Sequence, residues 1–464
     1  MNNYKKLINN SLIFAIGNFG SKLIVLFLVP LYTYYLTPSE YGTSDIILSI
    51  VSLLTPVITL SVFDAVLRFV MENKESNKNI FTNGFIITVL GNIIFMIITP
   101  LFLVFGSRIE LVLLMISILF SQSFQSLLSQ FTRSIGKVKL FAFNGILTTL
   151  SLLISNLIFL VLFNKGLIGY LISQVISLAI SNIYLFIKLK AWRLLSINYY
   201  DGRLLKMMLL YSLPLMPNAL MCWLTNTSNR FFILYFLGAS TTGLFAVANK
   251  IPSILSIVQS VFFQAWQMSA IETYNQKNSE NFYSNVFLYF SIIMILSISI
   301  LLIMIKPIFI FFISSSFFES WRLTPFLLIA VMFSSFSSFL GTNYIASKET
   351  KGILYSTILG AFINIFLSLV LINLLGANGA GIATTISFLS MWIYRYIDTQ
   401  KYIQMSINWK KLLINLFLLF IQIALFYSSN LLYNGMMVLI LLIIMYNNRC
   451  ELLLMGKKIL GGFK

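Results

Sequence analysis

The chain has 464 residues, 59% of them hydrophobic and only 9% charged, with a formal net charge of +18. Soluble domains carry roughly 25% charged residues, so this composition leaves no room for a soluble catalytic domain. With no histidine, and with Cys222 and Cys450 far apart in sequence, zinc sites, histidine catalysis and a disulfide framework have nothing to build on.

Apolar stretches of about 18 residues or more recur from end to end, each long enough to cross a hydrocarbon core roughly 30 Å thick. Strands of alternating hydropathy are not seen, which argues against a membrane β-barrel. The expected fold is an all-α polytopic membrane protein. Lys5 and Lys6 precede an apolar run reaching Leu36. That run is longer than a signal-peptide core and lacks a small-residue cleavage site, so it reads as a retained first helix.

Fourteen spans are predicted, over residues 10–36, 41–70, 81–106, 109–132, 140–163, 166–188, 207–237, 241–270, 283–306, 323–346, 352–375, 379–398, 410–428 and 430–447. The last two are joined by a very short hinge around Ser428–Asn430; twelve spans with one re-entrant hairpin is the alternative. Four basic residues fall in the outer turns (Arg108, Lys165, Lys306 and Arg322), and Lys22, Arg230 and Lys250 fall inside spans. The remaining 24 of the 31 Lys and Arg lie in loops, tails and adjoining span ends on the side of the N-terminus. That bias places both termini in the cytoplasm and accounts for the basic excess without nucleic acid.

Internal similarity supports a duplicated architecture. At an offset of 201, Leu36, Ser39, Gly42 and Ile50 meet Leu237, Ser240, Gly243 and Ile251. At an offset of 210, Gly166, Gly169, Ile172 and Ser177 meet Gly376, Gly379, Ile382 and Ser387. Two six-helix lobes follow, related by a pseudo-two-fold as in two-lobed transporters. Their expected bounds are 1–200 and 201–404, with two C-terminal helices and a tail over 405–464.

Ionisable residues inside spans cost free energy unless they face water, protein or ligand. Lys22 lies fourteen residues before Leu36, roughly 20 Å down at 1.5 Å per residue. Arg230 and Lys250 flank the turn Gly238–Gly243 and are expected about 10–12 Å below it, at one depth. Either these side chains snorkel to the interface, or Lys22, Arg230 and Lys250 line a cavity suited to an anion. Asp64 and Arg68, four residues apart, are expected to pair on one helix face, as an interfacial ion pair or a gate element. Asp45, near the outer surface, reads as a solvated helix end. Asn226, Asn229 and Asn249 belong to an unusually polar pair of helices; their amides suit sugar hydroxyls and equally suit helix packing. Ser334–Ser338 reads as small-residue packing. Tyr32, Tyr34, Tyr35 and Tyr41 at one end, with Trp392, Tyr394 and Tyr396 at the other, read as interfacial belts.

The stretch Pro30-Leu31-Tyr32 through Leu36-Thr37-Pro38-Ser39-Glu40-Tyr41-Gly42 resembles the first hairpin of the bacterial polysaccharide-repeat-unit flippases (Wzx-type, exporters for O-antigen, capsule or teichuronic acid). These belong to the superfamily of multidrug, oligosaccharidyl-lipid and polysaccharide exporters. Asn229-Arg230-Phe231-Phe232-Ile233, with Phe236-Leu237-Gly238, Gly243, Phe245 and Lys250, resembles that family's seventh and eighth helices. Gly376-Ala377-Asn378-Gly379-Ala380 resembles the turn before its twelfth. Many members carry an Asp before the helix-7 Arg, where this chain has Asn229. The resemblance implies a V-shaped cavity between two six-helix lobes. It also implies export of an undecaprenyl-diphosphate-linked oligosaccharide from the cytoplasmic to the outer leaflet, by a non-enzyme in the bacterial cytoplasmic membrane.

On this reading the diphosphate is compensated by Lys22, Arg230 and Lys250, since charge-assisted contacts to Lys and Arg are the natural way to bury such an anion. No cofactor is required, and coupling to membrane potential, protons or sodium is open. Polymerase and glycosyltransferases are the protein partners to expect. A cation-coupled multidrug antiporter should carry carboxylates in place of the deep cations. A glycan polymerase or glycosyltransferase should carry catalytic acids in a sizeable outer loop, whereas the longest here, Lys306–Arg322, has one acid, Glu319.

Overall fold

A chain in hydrocarbon must satisfy its own backbone, and a helix does so within one segment. Among the described residues every regular element is helical. The computed structural model describes residues 20–21, 24–72, 75–98, 108–274, 279–347, 351–428 and 431–454. The chain divides into two units, Met1–Trp223 and Leu224–Lys464. Ten described helical stretches are long and apolar enough to cross a membrane; one of these, Gly202–Ser260, contains both arms of a hairpin, and Ile24–Tyr35 and Gly435–Asn447 are shorter apolar helices. The protein is a multi-pass helical membrane protein.

In the first unit, α1 (Ile24–Tyr35) and α2 (Pro38–Ile58) form a hairpin whose turn is a capping box. The Thr37 hydroxyl accepts from the Glu40 N–H at 3.2 Å, and the Glu40 carboxylate accepts from the Thr37 N–H at 2.9 Å. The other Glu40 oxygen lies where a Cβ on Gly166 would come within 2.7 Å, and Gly166 has φ +52°. Gly166 opens α7 (Gly166–Leu189), so Glu40 ties the first hairpin to that later turn. Tyr32, Tyr41 and Tyr170 pack together, with Asn156 donating to the Tyr32 hydroxyl at 3.1 Å. Tyr32 and Tyr41 are therefore buried, not belt residues, whereas Tyr34 and Tyr35 are exposed as an interfacial belt requires.

A single helix over 41–70 is expected from hydropathy; the structure breaks it. Pro56 lacks an N–H, α2 stops at Ile58, and Leu60 and Ser61 take φ of +50° and +52° before α3 (Val62–Glu72) begins. Left-handed backbone costs a non-glycine residue roughly 1–2 kcal/mol, so the break is held by its surroundings. One support is Gly91 on α4 (Asn77–Ile98), where a Cβ would lie 1.9 Å from the Ile58 carbonyl oxygen. The expected Asp64–Arg68 pair does not form. Arg68 instead pairs with Glu72, Nε to Oε1 at 2.7 Å, while Asp64 sits in the first turn of α3, where a carboxylate complements the helix dipole.

Helix α5 spans Ile109–Ser134, and α6 (Val138–Asn156) widens into a π-helix over Leu157–Leu162. After two short 3-10 turns, Asp201 caps α8 (Gly202–Ser212), accepting from the Arg203 and Leu204 N–H groups. Asn83 on α4 donates to the Asp201 carbonyl at 2.9 Å, and Leu204 and Met208 join Val62, Phe81, Leu127 and Leu185 in one core. Thus 202–212 packs onto the first unit. The seventh span starts at Leu215, beyond the break at Leu213–Pro214, not at 207. Nearby, Trp223 donates from Nε1 to the Ser49 carbonyl and the Ser52 hydroxyl.

The second unit begins within α9 (Leu215–Ala248), which is two helices across Gly238 at φ +84°. Helix α10 (Lys250–Thr273) follows Asn249, with Pro252 in its first turn. Next come α11 (Ser279–Phe312), a 3-10 stretch Ser315–Leu323, α12 (Thr324–Ala346), α13 (Lys351–Leu375) and α14 (Ala377–Thr399). Helices α15 (Trp409–Phe426) and α16 (Leu431–Asn447) end the series. Lys306 donates to the Ser428 carbonyl at 2.9 Å and lies 4.8 Å from the Trp321 ring centroid, pinning the α15–α16 hinge to the 3-10 stretch. Trp392 is not a belt residue: it is 2% exposed, packed against Phe287, Phe333 and Phe336. Ser335 and Ser337 are buried on α12, as small-residue packing requires.

The glycine correspondence has a structural cause. Gly376 has φ +62° and precedes α14 as Gly166 (φ +52°) opens α7. Three residues on, a Cβ on Gly169 would meet the Phe159 carbonyl at 2.9 Å, and one on Gly379 the Leu371 carbonyl at 2.1 Å. Both glycines let a helix run close past the end of its predecessor.

Gly91→Ala and Gly379→Ala are expected to lower the thermal midpoint of the purified protein by several degrees, because backbone must move to admit the methyl. Ser61→Gly, at a left-handed residue, is expected to hold or raise it. A thermal scan in one detergent reads all three.

Candidate functional site

Arg230 lies eight residues before Gly238 and Lys250 twelve after it. Because Gly238 alone makes the turn, Arg230 sits roughly 12 Å and Lys250 roughly 18 Å along their helices from it. The two cations therefore do not share a depth; Lys250 is about one helical turn deeper. Both are half-buried. Lys22 lies outside the described residues.

The three asparagines separate. Asn229, 4% exposed, is held by packing. Its Nδ2 donates to Thr384 Oγ1 at 2.5 Å and to the Ala380 carbonyl at 3.2 Å, and its Oδ1 accepts from Ser368 Oγ at 2.6 Å. Ser228 donates to Asn364, which donates on to Thr384. This polar cluster joins α9, α13 and α14. Asn249 donates to the Phe245 carbonyl one turn earlier at 2.9 Å and is half-buried; Asn226 is exposed. Of the proposed gate pair, Arg68 is exposed and Asp64 half-buried.

One buried arginine carries no sign of burial in the sequence, because it stands among aromatic residues at a helix end, where a loop-side charge is expected. Arg395 on α14 is 7% exposed and donates to the Ser337 carbonyl and to Ser356 Oγ, at 2.9 and 2.8 Å. Close approach is allowed by Gly341, where a Cβ would lie 2.9 Å from the guanidinium. Three residues on, Asp398 accepts from Tyr344 and Lys401, each at 2.7 Å, and its carboxylate holds the Lys401 ammonium above its usual range.

The first unit contains a polar cavity of about 340 Å³. Its main wall is one face of α5, where Gln122, Gln125, Ser126, Ser129 and Arg133 recur at helical spacing. Asn144 of α6 lines it opposite, and Phe63 of α3 enters from beyond the break at Leu60–Ser61. Part of this polarity is structural: Gln125 and Asn144 both donate to Ser181 of α7, at 3.1 and 2.8 Å. In the sequence the signal for this face is the recurrence of Gln122, Gln125, Ser126 and Ser129 at helical spacing within an apolar span.

The helix order is that of a fold found in solved transporters. The chain resembles the lipid II flippase MurJ in an inward closed conformation at 16% identity, with a TM-score of 0.69 over 95% of this chain and 100% of that one. It also resembles a multidrug resistance MATE family transporter of the MOP superfamily, inward-facing, at 15% identity and TM-score 0.67 over 82% and 95% of the two chains. An outward-facing structure described in the same terms gives 15% identity and TM-score 0.61 over 86% and 95%. These likenesses establish the fold. No curated protein matches significantly. The profile of the polysaccharide biosynthesis proteins matches residues 7–267, more than half of the chain, and the protein belongs to that family.

Asn229→Ala removes three hydrogen bonds between helices, each worth roughly 0.6 kcal/mol in a membrane. It is expected to destabilise the protein by about 2 kcal/mol, read as loss of thermal midpoint, with Ser368→Ala showing a smaller loss.

Proposed function

We propose that the protein is a flippase of the Wzx type that carries undecaprenyl-diphosphate-linked oligosaccharide repeat units from the cytoplasmic to the outer leaflet, for capsule or O-antigen assembly. The observation that carries this reading is the pair Arg230 and Lys250, half-buried within the spans of a polysaccharide biosynthesis family member. A cation inside the membrane is retained where it meets water, protein or an anionic ligand, and a lipid diphosphate is such a ligand. Lys22 is the third cation assigned to it. The mechanism is alternating access across fourteen crossings, with both termini cytoplasmic. With the cell interior negative, exporting one net negative charge is favoured by about 2.3 kcal/mol per 100 mV, so the potential can contribute to the drive. The fold is shared with multidrug transporters, but the deep charges of this chain are mostly basic, which suits an anion better than a cationic drug.

Arg230→Gln with Lys250→Gln is expected to cut surface polysaccharide at least tenfold at equal protein level, with lipid-linked repeat units accumulating inside. Undiminished export would refute the assignment. Cys450 is exposed; in a Cys222→Ser background a membrane-impermeant maleimide is expected to label it only after cells are opened. Labelling in intact cells would reverse the orientation.

A further inference from the structure

The wall of the first-unit cavity divides into two chemically different parts. Gln125 and Asn144 are committed to Ser181, and Ser126 donates to the Gln122 carbonyl one turn earlier, at 2.9 Å. The side chains of Gln122, Ser129 and Gln130 make no hydrogen bond among the described residues, although all three line the cavity and are half-buried. Amides on a membrane helix that bind no neighbouring helix are not packing glue. They are donors and acceptors presented to whatever fills the space.

We propose that this cavity binds the glycan part of the transported lipid, a role that rests on the flippase reading above. Each free carboxamide offers two N–H donors and a carbonyl acceptor, and Ser129 offers a hydroxyl. That set matches sugar hydroxyl and acetamido groups, which also donate and accept. Phe63 and Phe141 supply apolar faces for the ring C–H surface. Among the described residues no carboxylate lines the cavity and Arg133 is the one charged lining residue, so the described wall does not select a cation. At about 340 Å³ the space falls at the small end of ligand cavities, roughly 300–1,000 Å³, which suits a short stretch of glycan and not a whole lipid-linked unit. The committed residues behind it, Gln125 and Asn144 on Ser181, fix the wall from which the free amides project.

The test titrates full-length protein in lipid nanodiscs with two soluble probes. One is the oligosaccharide released by mild acid from the lipid-linked pool of the expressing cells; the other is inorganic diphosphate. Gln122→Leu with Gln130→Leu is expected to weaken oligosaccharide binding at least tenfold and to leave diphosphate binding within twofold. Arg230→Gln with Lys250→Gln is expected to do the reverse. Where the leucine pair fails to fold, Ser129→Phe, which fills the cavity and keeps both amides, is read in the same way. Oligosaccharide binding that is absent from the unaltered protein, or unchanged in these variants, overturns the glycan site. Failure of the flippase reading shows separately, as undiminished export in the cation variants.

Discussion

Hydrocarbon offers no hydrogen bonds, so each polar side chain inside the bundle must find a partner in the protein, reach water or bind a ligand. That constraint organises both units. Asn229 is locked by Thr384, Ala380 and Ser368, and Arg395 by Ser337 and Ser356. Asn144 and Ser181 donate to each other, and Asn415 and Asn448 exchange bonds in the same way. These clusters fix helix register where apolar surface cannot, because lipid tails are as apolar as Leu. Against that background, residues left uncommitted become informative.

The same constraint governs where helices are interrupted. The break at Leu60–Ser61 exposes backbone groups in the middle of a long apolar run, and local bonds absorb them. Ser61 N–H reaches the Pro56 carbonyl at 2.9 Å, and Thr59 donates both its N–H and its hydroxyl to the Thr55 carbonyl. The break redirects α3, which brings Phe63 to the polar cavity. A conformational cost of roughly 1–2 kcal/mol per left-handed residue is thus spent at the edge of a site, where such strain tends to collect.

Hydropathy made the helical, multi-pass character legible, since length and apolarity follow directly from bilayer thickness. The glycine pairs Gly166/Gly376 and Gly169/Gly379 were legible because backbone close to backbone leaves a residue-specific mark. The motif around Thr37–Gly42 was legible too, and its roles are a cap, a bridge from Glu40 to Gly166, and a buried Tyr41. Side-chain destinations were not. Trp392 and Tyr32 lie near helix ends in sequence, which suggests an interface, yet tertiary packing buries them. Arg68 had two acids at four-residue spacing, Asp64 before it and Glu72 after it, and the chain uses the later one. A one-residue turn at Gly238 cannot be told from a six-residue turn by hydropathy, and that difference moves Lys250 by about one helical turn.

The chemistry of a lipid-linked glycan poses two recognition problems that one kind of residue cannot solve. Its diphosphate needs full charges, which bind strongly but distinguish little among sugars. Its glycan needs oriented donors and acceptors, which distinguish well because an unmatched polar group in a dry site costs about 1–3 kcal/mol. In this chain the deep cations with described positions, Arg230 and Lys250, lie in the second unit, and the uncommitted amides Gln122 and Gln130 lie in the first. Under the proposed function, separating the two would let the repeat unit vary among related exporters by changes along one face of α5, while the charge assigned to the lipid carrier is left alone.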